Sequence, residues 1–171
     1  RVWSVILEPA GEQNQADEAT LRQLRRKVHQ TLRSVTRDFR EFEFNTIVSS
    51  LMELLNEMSK AKQGGAWGSP AWEEAVDIYL RMLAPVCPHI SEEIWALLGK
   101  PYSVHTQAWP QVDEEAAKEE LITIVVQVNG KVRDRLSVNA EISDEEVKAL
   151  ALQSEAVQRY LGGKPPRQII Y

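Results

Sequence analysis

Lys131, Arg133 and Arg135 alternate along one short β-rich run, Lys131 to Val138, in which Asp134 is the only acid. In an extended strand every second side chain points to the same face, so the alternation predicts three cations on one surface. Thr123 and Gln127, on the preceding run from Leu121 to Val128, add hydroxyl and amide donors to that face. Cations with such donors suit phosphate and sugar oxygens. The same set also reads as a solvated sheet face. A second basic group lies between Leu21 and Arg40, where Arg22, Arg25, Arg26, Lys27, Arg33, Arg37 and Arg40 face one acid, Asp38, for a net +6. It reads either as a phosphate-tracking stripe or as the solvated side of a helix.

Other chemistry is sparse. Cys87-Pro88-His89 offers two soft ligands, but His29 and His105 belong to unrelated segments. A zinc site needs four ligands, or three and water, so no metal site is expected. No Gly-x-Ser-x-Gly elbow, Walker loop or dinucleotide fingerprint occurs, and no catalytic residue is assigned. The acid pairs Glu73-Glu74 and Glu92-Glu93 sit near helix starts, where they favour the helix dipole. Trp72 and Trp95 fall on predicted inner faces; Trp67 and Trp109 fall in loops, where they either pack across helix ends or stack on bases.

The chain has 171 residues, 43% hydrophobic and 26% charged, with a formal charge of −5. That suits one compact domain or a medium domain with a small one, and argues against disorder. With +6 in one segment, the remainder carries −11. A uniformly basic coat is excluded, and DNA is not an expected partner. The longest apolar run, Ile122 to Val128, is too short for a bilayer, so no membrane role is expected. One cysteine excludes an internal disulfide framework and suits a reducing compartment. The chain opens Arg1-Val2-Trp3 without an initiator Met, which reads as a piece of something longer.

The positioning elements are mainly helical. From Asp17 to Phe42, Leu21, Leu24, Val28, Leu32, Val35 and Phe39 recur every three or four residues, one stripe of a helix with the arginines beside it. A second helix is predicted from about Asn45 to Lys62, stopped by Gly64-Gly65. Ser69-Pro70 starts a third, with Ser as N-cap and Pro at the first position. Pro85 and Pro88 interrupt it, and a fourth runs from about Ser91 to Leu98. Residues 1–7 read as the tail of an earlier helix, and residues 1–112 as a helical bundle. An acidic linker follows at 113–120, then a small α/β domain at 121–171 opening with a β-hairpin around Asn129-Gly130. A two-residue turn pairs Ile124 and Val126 with Arg135 and Arg133 on one face. A three-residue loop avoids that, setting Ile122, Ile124, Val126, Val132 and Leu136 against Thr123, Gln127, Lys131, Arg133 and Arg135, and is preferred. Ser143 to Glu146 is a capping box opening a helix. A short helix near Glu155 to Leu161 ends at Gly162-Gly163, and Arg167 to Tyr171 is expected as a returning strand, with the chain stopping inside it. The predicted class is mainly α, a helical bundle followed by a small α/β domain.

Several stretches together resemble one family. Phe44-Asn45-Thr46-Ile47 through Met52-Glu53-Leu54-Leu55-Asn56 is similar to a helix of the anticodon-binding bundle in class I aminoacyl-tRNA synthetases. Leu83-Ala84-Pro85-Val86-Cys87-Pro88-His89-Ile90-Ser91-Glu92-Glu93-Ile94-Trp95 resembles that bundle's proline-punctuated signature, with Ser103-Val104-His105 and Ala108-Trp109-Pro110 after it. The leucyl, valyl and isoleucyl enzymes share these. Val126-Gln127-Val128-Asn129-Gly130-Lys131-Val132-Arg133-Asp134 resembles the C-terminal domain of the bacterial leucyl family and argues against the other two. Arg1-Val2-Trp3 also resembles the interior of that family's first bundle helix.

The resemblance implies a cytoplasmic ATP-dependent ligase whose catalytic and editing domains lie outside this chain. His-x-Gly-His and Lys-Met-Ser-Lys-Ser are absent from the 171 residues, and Met58-Ser59-Lys60 and His89-Ile90-Ser91 are decoys in the wrong order. It implies no cofactor here, with ATP and Mg in the parent enzyme, and as partners tRNA(Leu) and the parent's own catalytic domain. In that family the bundle lies along the tRNA stem, and the C-terminal domain reaches the outer corner of the tRNA near the long variable arm. By resemblance, Lys131, Arg133 and Arg135 are candidates for the second contact. Arg22, Arg25, Arg26, Arg33 and Arg37 are candidates for the first. The competing expectation is a protein-docking scaffold whose arginines merely solvate it.

Overall fold

A computed structural model describes residues 1–11, 15–118, 121–139, 142–161, 166 and 169–170. Helix α1 spans Val2–Leu7, α2 Glu18–Glu41, α3 Phe44–Ala61, α4 Pro70–Leu83, α5 Pro88–Leu97 and α6 Glu114–Ala117. Strands β1 (Leu121–Val128) and β2 (Lys131–Asn139) then precede α7 (Asp144–Gln153) and α8 (Glu155–Leu161). The chain divides into two units, Arg1–Lys118 and Glu119–Tyr171.

In the first unit the 3.6-residue stripe decides what is buried. Leu24, Val28, Leu32 and Val35 of α2 meet Ile47, Leu51, Leu54 and Met58 of α3 and Trp72, Ala75, Val76 and Tyr79 of α4 in one apolar core. Trp72 and Trp95 are buried in it, as their positions predict. The helix ends are set by side chains short enough to reach the backbone. Asp17 accepts the Thr20 N–H at 2.8 Å, and Ser69 accepts the Trp72 N–H at 3.2 Å with Pro70 just inside α4. Helix α2 ends where Phe42 turns left-handed at φ 60°, and its N–H returns to the Asp38 carbonyl. A π-helical turn, Lys62–Ala66, breaks at Gly65, whose φ of 88° a side chain would resist.

Residues 113–118, expected as linker, are instead folded onto α2. Asp113 caps α6 by accepting the Glu115 and Ala116 N–H groups at 3.0 and 3.1 Å. Gln30 donates to the Ala117 carbonyl at 3.0 Å, and Arg33 grips Glu114. Acidity alone suggests a linker. The same acids are the N-terminal cap of a helical turn and the partners of the arginines opposite.

In the second unit β1 and β2 pair antiparallel, while α7 opens with the predicted capping box at Ser143 and Glu146. Buried Val138, Val147 and Val157 bring the hairpin, α7 and α8 together. The stop at Gly162-Gly163 lies outside the described residues, as do 167, 168 and 171 of the expected returning strand. Ile169 and Ile170 are exposed and in no regular element.

The C-terminal end of helix α1 is fastened by Lys62. The Lys62 ammonium donates to the Ser4 and Val5 carbonyls at 3.0 Å each and to that of Glu8, while lying 4.4 Å from the centre of the Trp67 ring. It thus satisfies carbonyls that the end of a helix leaves unpaired. Lys62→Met keeps the apolar stem and removes the donors. It should lower stability by about 1–2 kcal/mol and the melting temperature by roughly 3–6 °C. Melting at the wild-type temperature would mean that α1 is held without the Lys62 contacts, by its apolar packing and the Arg1–Asn56 hydrogen bond.

Candidate nucleic-acid interface

The hairpin turn is the two-residue kind, not the three-residue loop expected. Asn129 and Gly130 both take positive φ, 53° and 73°, and Val128 pairs with Lys131. Such turns match the twist of paired strands, and Asn-Gly tolerates the left-handed backbone best. The conflict that argued against this turn is removed one step later by a bulge. Gln127 pairs with Val132 and Val126 with Asp134, so Arg133 is the extra residue. Beyond it Ile124 lies opposite Leu136, both half-buried, and Val125 opposite Arg135, both exposed.

That bulge disperses the row of cations. Arg135 is on the exposed face with Thr123, Gln127 and Ser137, and Lys131 sits exposed beside the turn. Val132, expected inside, is half-exposed at 51%. Arg133 leaves the outer face: it is half-buried, with its guanidinium carbon 3.6 Å from the centre of the Tyr160 ring on α8. Asp134, the hairpin's acid, accepts the Ser154 hydroxyl and the Arg135 N–H, the latter at 2.7 Å. These bonds hold its carboxyl below the ordinary range, Ser154 contributing most. Among the described residues no carboxylate is ion-paired with Lys131, Arg133 or Arg135.

The bundle arginines are spent differently. Arg25 donates through Nε to Glu74 Oε2 at 2.5 Å and through Nη2 to Glu74 Oε1 at 3.1 Å and Asp113 Oδ2 at 3.2 Å. Buried His29 completes the cluster. Its Nδ1 accepts the Asp113 N–H at 3.1 Å, so Nε2 carries the proton and meets Glu74 Oε1 at 3.1 Å. Arg22 pairs with Glu18 at 3.3 Å, Lys27 with Glu53 at 3.6 Å, and Arg33 with Glu114. Arg37 holds buried Asp38 at 2.8 Å and reaches Glu41 at 3.7 Å. Arg26 is half-buried on the same helix and has partners of its own. Of the eight candidates, Arg25 is therefore committed to the fold.

The carboxylates of Asp38, Glu41 and Glu43 approach within 4.8 Å of one another, but Arg37 already occupies the first two. Trp67 packs on Trp72 with ring centres 5.2 Å apart. Trp109 meets Phe39 edge-on at 5.5 Å and donates to Thr36 Oγ1 at 2.9 Å, so both loop tryptophans pack across helix ends. Sequence reasoning missed Glu74, Asp113 and Tyr160. Glu74 looked like an ordinary first-turn acid, and no local pattern pairs an arginine with a tyrosine 27 positions on.

The Glu74 cluster carries a pH signature. Its carboxyl is held below the usual range, first by the Arg25 hydrogen bond, then by His29, with burial opposing. A depressed folded value stabilises above the unfolded carboxylate range and is lost as pH falls through the folded value. Glu74→Gln should therefore be less stable than wild type by about 1–3 kcal/mol at pH 7, with the gap narrowing below about pH 4. Denaturant melts at several pH values check this; a pH-independent gap would remove Glu74 ionisation from the account.

The model of the "Anticodon-binding domain of tRNA ligase" family matches residues 22–149. Leucine–tRNA ligases of Dehalococcoides mccartyi and Deinococcus radiodurans are 46% and 47% identical to the chain over all of it, and the chain spans 21% of each. That of Gloeobacter violaceus is 42% identical over 99% of the chain, which spans 20% of it. Among solved structures, the LeuRS–tRNA–LeuAMS ternary complex of Agrobacterium radiobacter K84 agnB2 superposes with a TM-score of 0.82 at 25% identity, covering 100% of this chain and 22% of that one. The chain thus spans about a fifth of the length of the relatives it matches, and it belongs to the anticodon-binding domain family of tRNA ligases.

Proposed function

We propose that this chain is the tRNA-holding portion of a leucine–tRNA ligase. It binds tRNA(Leu) through cations and helps bring the acceptor end to a catalytic domain elsewhere in the parent enzyme, to which the ATP and Mg chemistry belongs. The observation that carries this reading is the 46–47% identity to leucine–tRNA ligases along the whole chain. That a solved relative is a complex with tRNA supports it further.

The role is positional. A phosphate contact carries no sequence information, but it fixes the body of an RNA, and correct placement of a distant reacting end is worth several orders of magnitude in rate. Lys131, Arg133 and Arg135 suit such contacts because no carboxylate among the described residues neutralises them. Arg22, Arg33 and Arg37 are exposed and share their charge with Glu18, Glu114 and Asp38, so they contribute less per residue. In this reading the parent's catalytic domain is the second partner and the protein works in the cytoplasm, a reducing compartment that suits its single cysteine. No helix among the described residues is long and apolar enough to cross a membrane.

The test is the salt dependence of tRNA binding. Replacing Lys131, Arg133 and Arg135 together with Ala should weaken binding of leucine tRNA and flatten log K against log salt by roughly one unit per lost contact, about two to three units in all. An Arg33→Ala, Arg37→Ala double variant should lose less than about one unit. Equal slopes for wild type and the triple variant would remove the hairpin from the contact surface.

A further inference from the structure

Arg133 is held in a way that Lys131 and Arg135 are not. The bulge carries it to the α8 side, its guanidinium lies 3.6 Å from the centre of the Tyr160 ring, and its Nε is buried with no hydrogen-bond partner. Tyr160 as a residue is 55% exposed. Burying a guanidinium N–H unpaired costs free energy, and a carboxylate at the stack would recover it; among the described residues none is there. What the arrangement retains is a flat, partly desolvated cation laid on an aromatic face, with few rotamers left to lose. A cation fixed in this way loses less entropy on meeting a phosphate than a free lysine does.

We propose that Tyr160 is a positioning residue for RNA: its ring fixes the Arg133 guanidinium in the orientation that meets a tRNA phosphate. The inference rests on the tRNA-holding reading above and adds to it a residue outside the basic clusters. Lys131 and Arg135, exposed and unstacked, supply attraction. Arg133 supplies a contact of defined geometry.

The experiment is binding of this chain to a leucine tRNA transcript by fluorescence anisotropy across a salt series, with thermal melts of every variant. Tyr160→Leu should bind about five- to tenfold more weakly and lose roughly one unit of salt slope, while Tyr160→Phe, which keeps the ring, should match wild type. In an Arg133→Ala background, Tyr160→Leu should have no further effect, because the ring acts through Arg133. Arg133→Lys keeps the charge and loses the planar fork, and should bind at least about threefold more weakly. Wild-type affinity for Tyr160→Leu, or its full cost repeated without Arg133, overturns the proposal. Where Tyr160→Leu does not fold, wild-type affinity in Arg133→Lys overturns it. A wild-type chain that binds no tRNA contradicts the tRNA-holding reading itself, a failure visible before any variant is made.

Discussion

One carboxylate holds together three parts of the first unit that the chain brings from far apart. Glu74, on α4, receives two hydrogen bonds from Arg25 and one from His29, both on α2, while the same arginine and histidine bind the side chain and backbone of Asp113. Each member answers a need of another. The buried imidazole has a partner on both nitrogens, and the arginine spreads its fork over two acids. Removing Glu74 would leave Arg25 and His29 facing a part-buried space with one partner fewer. The cluster ties α2 to α4 and to the start of α6 beside the apolar core that packs the helices together.

The basic character of α2 takes on a different meaning once these partners are known. Seven cations in one segment look like a surface for phosphates, yet Arg25, Lys27, Arg33 and Arg37 face Glu74, Glu53, Glu114 and Asp38. The acids that give the chain its negative balance are partly the counterions of that helix. The hairpin has no such counterions among the described residues, and its acid is turned to Ser154. Cation count alone therefore ranks the two surfaces in the opposite order from cation availability.

Helices α2 to α5, the Ser69 cap, the buried Trp72 and Trp95 and the Ser143 capping box were all legible, because each depends on spacing or on neighbours within four residues. The partners of Arg25 were not, since Glu74 and Asp113 lie 49 and 88 positions away. For the same reason an acidic stretch that closes the bundle read as a tether. In the hairpin the faces of Ile124, Val126 and Leu136 were right and the turn was wrong. A bulge and a longer loop shift the alternation equally, so the pattern of apolar residues could not separate them. What separates them is Arg133, carried to Tyr160 by the one and left on the outer face by the other.

Whether this chain holds tRNA(Leu) is tested most directly by comparing two RNAs on the unmodified chain. Leucine tRNA with its long variable arm, and a tRNA with a short one, would be titrated by fluorescence anisotropy at several salt concentrations, with circular dichroism confirming the helical fold. Salt-sensitive binding that prefers the long-arm tRNA is expected. A folded chain that binds neither RNA, or binds both equally with no dependence on salt, would contradict it.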